Sequence, residues 1–180
     1  MGKTAHTRAG WIVAVWVGIL GATASAAGQP PLVSPRVRSS DPTLVALIGD
    51  ATLRSTTFRQ LVQAIEATNG IVYVDPGKCN HGVHACLPMW MQVSGPNRLV
   101  HIVIDRGIHA SEIETMSVLG HELQHAIEVL SEPTIHDGVT MFAFLRRLAP
   151  TDSTRFETTA AVNAGDQVYD ELRASSHNPR

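Results

Sequence analysis

Residues 111–132 read SEIETMSVLGHELQHAIEVLSE, a stretch whose apolar positions recur at helical spacing. Ser111 followed by Glu114 is the pattern of a capping box, which is typical of a helix start, and Pro133 closes the stretch. The pattern predicts one amphipathic helix of about 20 residues. Its buried side is expected to carry the apolar side chains Met116, Leu119, Leu123, Ile127 and Leu130.

The opposite side of this predicted helix carries His121, His125 and Glu128, and residues 121–125 read HELQH, an H-E-x-x-H pattern. Four residues advance a helix by about 400°, so the imidazoles of His121 and His125 lie one turn apart on nearly the same face. Two neutral imidazoles in this arrangement can bind one Zn²⁺, and Glu122 then lies beside the remaining coordination position. There its carboxylate can take a proton from water and generate a nucleophile near neutral pH. The pattern therefore predicts a zinc centre.

The N-terminus has the pattern of a secretory signal peptide over residues 1–26. Basic residues are followed by an apolar stretch, residues 11–20, that is too short to span a bilayer. Ala24-Ser25-Ala26 is an A-x-A cleavage site, so we expect cleavage after Ala26 and a periplasmic or secreted protein. Residues 27–42 are expected to form a flexible lead-in to one domain, residues 43–180. The small residues after the apolar stretch argue against an uncleaved anchor.

Charge and hydropathy exclude two classes of partner. The formal net charge is −2 and no run of basic residues is present, which argues against nucleic acid and anionic membrane surfaces. No second hydrophobic segment reaches transmembrane length, so no stable membrane insertion is expected after signal cleavage.

Cys79 and Cys86 are the only cysteines, and they flank a short loop that contains His81 and His84. Export to an oxidising compartment favours a disulfide between them. The alternative is a second zinc site, because C-x-H-x-x-H-x-C supplies four possible ligands.

The rest of the chain predicts an α+β fold with a small, mostly antiparallel sheet. Residues 57–67 are predicted as a helix and residues 71–74 as a strand, followed by strands over 89–93 and 98–104 that form a hairpin around Ser94-Gly95-Pro96-Asn97. After the H-E-x-x-H helix, one helix is expected to end near Pro150, and a last helix is expected to run from about Thr154 to Leu172.

This order resembles the zincin metallopeptidases, in which a small sheet lies over a helix that bears H-E-x-x-H. The resemblance implies that His121 and His125 bind zinc and that Glu122 is the general base. The metzincin branch places a third histidine where this chain has Ser131, so that branch does not fit. Gluzincins use a glutamate on a later helix, often within E-x-x-A-[AD], and residues 157–161 read ETTAA. The resemblance therefore implies Glu157 as the third ligand, with a departure at Ala161, where an acidic residue is common.

A second reason to consider Glu157 is its place at the head of an apolar stripe formed by Ala161, Ala164, Val168 and Leu172. A carboxylate there is costly to bury unless a cation or hydrogen-bond donors meet it. The alternative is a capping role, because Thr154 and Glu157 also have capping-box spacing. Glu128 is the main rival ligand or else a residue that holds an imidazole, and Glu132 and Glu171 are weaker candidates.

The sequence thus predicts an exported zinc peptidase that acts on a peptide or protein substrate. The residue that stabilises the oxyanion stays open among His136, Tyr169 and His109. The alternatives are a non-catalytic zinc-binding structural or interaction module, and a zinc hydrolase with a non-peptide substrate.

Overall fold

The computed structural model describes residues 36–149 and 156–177, and within them the chain has the predicted α+β architecture. The predicted signal peptide and residues 27–35 of the lead-in lie outside the described residues. None of the helices in the described ranges is long and apolar enough to cross a membrane.

The sheet is mixed, which corrects the prediction of a mostly antiparallel sheet. Its strands are β1 (Val37–Arg38), β2 (Gly70–Gly77), β3 (Ala85–Cys86), β4 (Met91–Ser94) and β5 (Asn97–Asp105). β1 and β5 both pair with β2 in parallel, whereas β3 and β4 pair with β5 antiparallel. The difference arises because β5 inserts between β2 and β3, so that these two strands, which follow one another in sequence, are not neighbours in the sheet.

The predicted hairpin is present between β4 and β5, with Gly95 at φ 57° in its two-residue turn. β4 starts at Met91 rather than Met89. Cys86 pairs with Val103 and Met91 with Val100, so residues 87–90 protrude from the sheet edge between β3 and β4. Within this protrusion the ring of Trp90 lies 4.7 Å from that of His101.

The described part of the chain contains five α-helices: α1 (Pro42–Arg54), α2 (Thr56–Glu66), α3 (Glu112–Ser131), α4 (Gly138–Leu148) and α5 (Thr159–His177). α3 is the predicted H-E-x-x-H helix, and both hydrogen bonds of its capping box are present between Ser111 and Glu114. α1 was not predicted, although Asp41 caps it and Pro42 occupies its first turn, both of which are helix-start signals. α5 begins at Thr159, so the prediction of a helix already under way at Glu157 is wrong; Thr154 lies outside the described residues.

The helices cover one face of the sheet, where the buried side chains of β2 and β5 face α2 and α3. α5 packs closely on α3, since a methyl group added to Gly120 would lie 2.9 Å from Val168. The predicted stripe on α5 is buried, with Ala161, Val168 and Leu172 fully covered. This close approach places the start of α5 beside the histidines of α3.

Cys79 and Cys86 form the predicted disulfide, with their Cα atoms 5.9 Å apart. Because both sulfurs are bonded to each other, neither can serve as a thiolate ligand, and the alternative of a second zinc site there is excluded. The disulfide closes the loop that leads from β2 to β3.

Glu171, a weaker candidate ligand, caps the N-terminus of α2 instead. Its carboxylate accepts hydrogen bonds from the Ser55 hydroxyl at 2.6 Å, from the Thr57 hydroxyl at 2.8 Å and from the Thr57 backbone N–H at 2.9 Å. Burial raises the pKa of Glu171, but these hydrogen bonds outweigh it and lower the pKa below its ordinary value. The carboxylate therefore joins α5 to α2 in its charged form.

We expect Glu171→Gln to lower the free energy of unfolding by about 1–2 kcal/mol at neutral pH, because an amide cannot accept all three bonds with a full negative charge. The pKa is depressed in the folded state, so this stabilisation is present above the unfolded pKa of about 4.3 and is lost as the pH falls through the folded value. Urea denaturation across acidic to neutral pH should show wild type and variant converging on acidification. Asp170→Asn, an exposed neighbour on α5, is the control, and an equal loss in both variants would contradict the capping role.

Candidate metal centre

The three predicted ligands lie together beside the middle of α3. His121 and His125 project from this helix and Glu157 from the segment just before α5, and one ligand atom from each lies within 4.8 Å of the other two. Nε2 of His121 lies 3.0 Å from a carboxylate oxygen of Glu157, and the two imidazole ring centres are 4.8 Å apart. Among the described residues, these three form a group that could hold a metal ion.

The donor set and its spacing fit a divalent metal. Tetrahedral zinc with bonds of about 2.0–2.1 Å separates neighbouring ligand atoms by about 3.3 Å. The His121–Glu157 separation of 3.0 Å is close to this value, and all three ligand atoms lie within 4.8 Å of one another. Two imidazoles and one carboxylate are a ligand set of catalytic zinc sites, which keep a fourth position free of protein ligands. Imidazole and carboxylate also suit other divalent metals, so the donor set does not single out one ion.

Glu157 reaches the group from a segment without regular secondary structure rather than from a helix, which corrects the prediction that it heads the apolar stripe of α5. The stripe begins with Ala161, and the Thr158 hydroxyl caps α5 by accepting a hydrogen bond from the Ala161 N–H at 3.1 Å. Gly165 lies against the Cβ of His121, and its carbonyl accepts a hydrogen bond from Ser117 at 3.0 Å. These contacts hold the start of α5 against α3. Glu157, which directly precedes Thr158, therefore lies close to the histidines of α3.

Glu128, the main rival ligand, hydrogen-bonds to a histidine instead. One carboxylate oxygen lies 3.0 Å from Nδ1 of His125, and the other accepts a hydrogen bond of 2.7 Å from the Thr158 hydroxyl. Burial raises the pKa of Glu128, but the hydrogen bonds from His125 and Thr158 outweigh it and lower the pKa. The carboxylate is therefore charged at neutral pH, and Nε2 of His125 is the nitrogen left to face the metal group.

Glu132, the other candidate, lies at the C-terminal end of α3. Its carboxylate accepts hydrogen bonds from the backbone N–H and the hydroxyl of Thr134, at 3.1 and 2.7 Å. It thus stabilises the turn after α3 and takes no part in the group formed by the histidines and Glu157.

Glu122 is buried, with 8% of its surface exposed, and it borders the cleft beside both histidines. Burial raises the pKa of its carboxyl group, and the neighbouring His125 and His121 only partly oppose this change. The pKa of His121 is also raised: burial lowers it, but the hydrogen bond to Glu157 and the nearby carboxylates outweigh that effect. A raised carboxyl pKa is typical of a general base or acid that works near neutral pH.

The metal group opens into a cleft of about 660 Å³. The disulfide-closed loop and residues 87–89 form one wall, and α3, α4 and the start of α5 contribute the other. Sequence reasoning did not find the apolar side chains of these walls, because they come from segments far apart in the chain and share no local pattern: Val83, Leu87, Val118, Leu145, Phe156 and Val162.

The three predicted oxyanion donors, all within the described ranges, lie outside this cleft lining. His136 is exposed, and its ring nitrogen contacts the Thr134 carbonyl. The Tyr169 ring lies under the guanidinium of Arg173, and His109 is exposed in the loop before α3. Besides the metal group and Glu122, the polar side chains that line the cleft come from the segment around the disulfide-closed loop, from α3 and from α5: Lys78, Asn80, His84, Ser117 and Asp166.

No family model, no curated protein and no solved structure matches this chain.

Proposed function

We propose that this protein is a zinc-dependent peptidase of compact, gluzincin-like type that works after export. The observation that carries the proposal is the convergence of His121, His125 and Glu157 beside the buried carboxyl of Glu122, at the floor of a cleft. The disulfide between Cys79 and Cys86 supports export, because disulfides persist in oxidising compartments.

Zinc, when bound, supplies a Lewis acid that makes water a competent nucleophile near neutral pH. Glu122 accepts the proton of the attacking water and delivers it to the leaving amine, a role that its raised pKa suits. His121, His125 and Glu157 hold the ion, and Glu128 holds the imidazole of His125 through Nδ1. The apolar walls of the cleft exclude water from the reacting groups and can receive an apolar side chain of the substrate.

The open cleft favours a catalytic site over a purely structural one. Structural zinc sites are closed by four protein ligands, whereas this group offers three and faces a cleft. A structural site also has no use for a carboxyl group that is buried next to the ligands without belonging to them, which is the position of Glu122.

The test is a digest of a broad peptide library by the protein recovered after export, combined with metal analysis. We expect one equivalent of zinc, cleavage of peptide bonds, loss of cleavage on chelation and recovery when zinc is restored. Bound zinc with no peptide cleavage, but with turnover of ester or amide substrates that are not peptides, would replace the peptidase with another zinc hydrolase. Bound zinc with no turnover of any kind would favour the structural module.

Variants of the third ligand test the site itself. Glu157→Gln should weaken zinc binding by at least about tenfold, because an amide oxygen is a poorer ligand than a carboxylate. Glu132→Gln, which changes a carboxylate at the far end of α3, should keep the affinity of the wild type. If the two variants bind zinc equally well, Glu157 is not a ligand.

A further inference from the structure

We propose that Glu128 and Thr158, here called the Glu128–Thr158 pair, are positioning residues that orient His125 and couple it to the segment carrying Glu157. This inference rests on the proposed zinc site and adds two residues that act on its ligands without touching the ion. The Glu128 carboxylate and the Thr158 hydroxyl are joined by a hydrogen bond of 2.7 Å between α3 and the start of α5.

The contact with His125 fixes the orientation and the tautomer of this imidazole. The Nδ1 atom lies 3.0 Å from the Glu128 carboxylate, so it carries the proton and donates it in a hydrogen bond. In the neutral imidazole this tautomer leaves the lone pair on Nε2, which is the form that can bind a metal. The side chains of His125 and Glu128 are only 8% and 12% exposed, so water competes poorly for this hydrogen bond.

The Thr158 hydroxyl makes two contacts at once. Its proton is donated to Glu128, while its oxygen accepts the N–H of Ala161 in the first turn of α5. A threonine hydroxyl has one donor and two lone pairs, so these two roles are compatible in one geometry. Because Thr158 is buried, this geometry is held by the surrounding packing.

Thr158 is coupled to Glu157 because the two residues are adjacent in the chain. Glu157 directly precedes Thr158, so fixing Thr158 to α3 also fixes the backbone from which the Glu157 carboxylate reaches His121. The ligands come from two separate segments, and the Glu128–Thr158 pair joins these segments next to the site. Loss of the hydrogen bond would therefore loosen His125 and Glu157 together, and partners of metal ligands typically contribute about 10–100-fold to metal affinity.

The experiment compares Thr158→Val, Thr158→Ser and the neighbouring Thr159→Val, an exposed position on α5. Zinc affinity is measured by competition with a chromogenic chelator. The tautomer of His125 is measured from the ¹⁵N shifts of its side chain in metal-free protein at mildly alkaline pH. We expect Thr158→Val to lower zinc affinity by about tenfold and to increase the population of the Nε2–H tautomer. Thr158→Ser should restore both properties, and Thr159→Val should change neither.

Glu128→Leu provides an independent variant, in which Nδ1 loses its acceptor, and it should shift the tautomer further than Thr158→Val. If Thr158→Val only lowers the free energy of unfolding, with unchanged zinc affinity and tautomer, Thr158 is a helix cap alone and the inference is wrong. That outcome would leave the zinc site standing. If instead His121→Ala and Glu157→Gln fail to change zinc binding, the proposed function itself is wrong.

Discussion

Glu122→Gln is expected to reduce peptide turnover by about 10²–10⁴-fold while the protein keeps its zinc. Glutamine has nearly the shape of glutamate but cannot accept the proton of the attacking water or return it to the leaving amine. Glu122 lies outside the group of His121, His125 and Glu157, so its replacement removes none of the proposed ligands. The loss should therefore appear mainly in kcat, with little change in metal content.

Glu112→Gln, an exposed change in the first turn of the same helix, is the matched control and should behave as wild type. The measurements are steady-state kinetics on a peptide from the library digest and metal analysis of each purified protein. Full activity of Glu122→Gln would remove this residue from the mechanism. Loss of zinc together with activity would show instead that the substitution disturbs the site.

Arg98→Met is expected to lower the free energy of unfolding by about 3–4 kcal/mol, a large share of the stability of a domain of this size. Arg98 is only 8% exposed, and its guanidinium donates to the carbonyls of Leu130 and Glu132 at the C-terminal end of α3 and to that of Ile135 in the turn that follows. The Leu130 and Glu132 carbonyls belong to the last turn and the C-cap of α3, which form the negative end of its dipole. Methionine fills part of the volume but gives these carbonyls no donor in place of the guanidinium, although that of Glu132 still accepts the Ile135 N–H at 3.2 Å.

Urea denaturation followed by circular dichroism measures this loss. Arg98→Lys should give an intermediate loss, because one ammonium cannot span acceptors that the planar guanidinium reaches together. Arg146→Met, an exposed change on α4, is the control and should alter stability by no more than about 0.5 kcal/mol. If Arg98→Met matches this control, the guanidinium contributes nothing to the end of α3.

Local sequence patterns predicted the parts of the fold that local interactions determine. α3 follows from its capping box and apolar period, and the β4–β5 hairpin follows from its turn residues. The pairing of β2 with β5 could not be read in this way, because it depends on which strand inserts into the sheet after the disulfide-closed loop. Parallel strands are joined by a long connection, and the residues of the strands themselves do not determine the order of the strands in the sheet.

In the candidate site, too, local patterns predicted some features, whereas others depend on residues that are distant in the chain. The spacing of His121 and His125 on one helix face is a local property, and the structure shows both on that face. Glu128 at three residues from His125 was a foreseeable partner, but its second contact, Thr158, is 30 residues further along the chain. Glu157 could be proposed only from a resemblance and from an apolar stripe, and the structure places it before that stripe begins.

The protruding residues 87–90 have a practical consequence for spectroscopy. Trp90 is the only tryptophan after residue 26, since Trp11 and Trp16 lie in the predicted signal peptide. Its indole is half exposed and lies against His101, while the preceding Met89 lines the cleft. In the protein without residues 1–26, tryptophan emission comes from a single fluorophore next to the cleft wall. With excitation that does not reach Tyr73 and Tyr169, this emission can follow ligand entry in real time without a label.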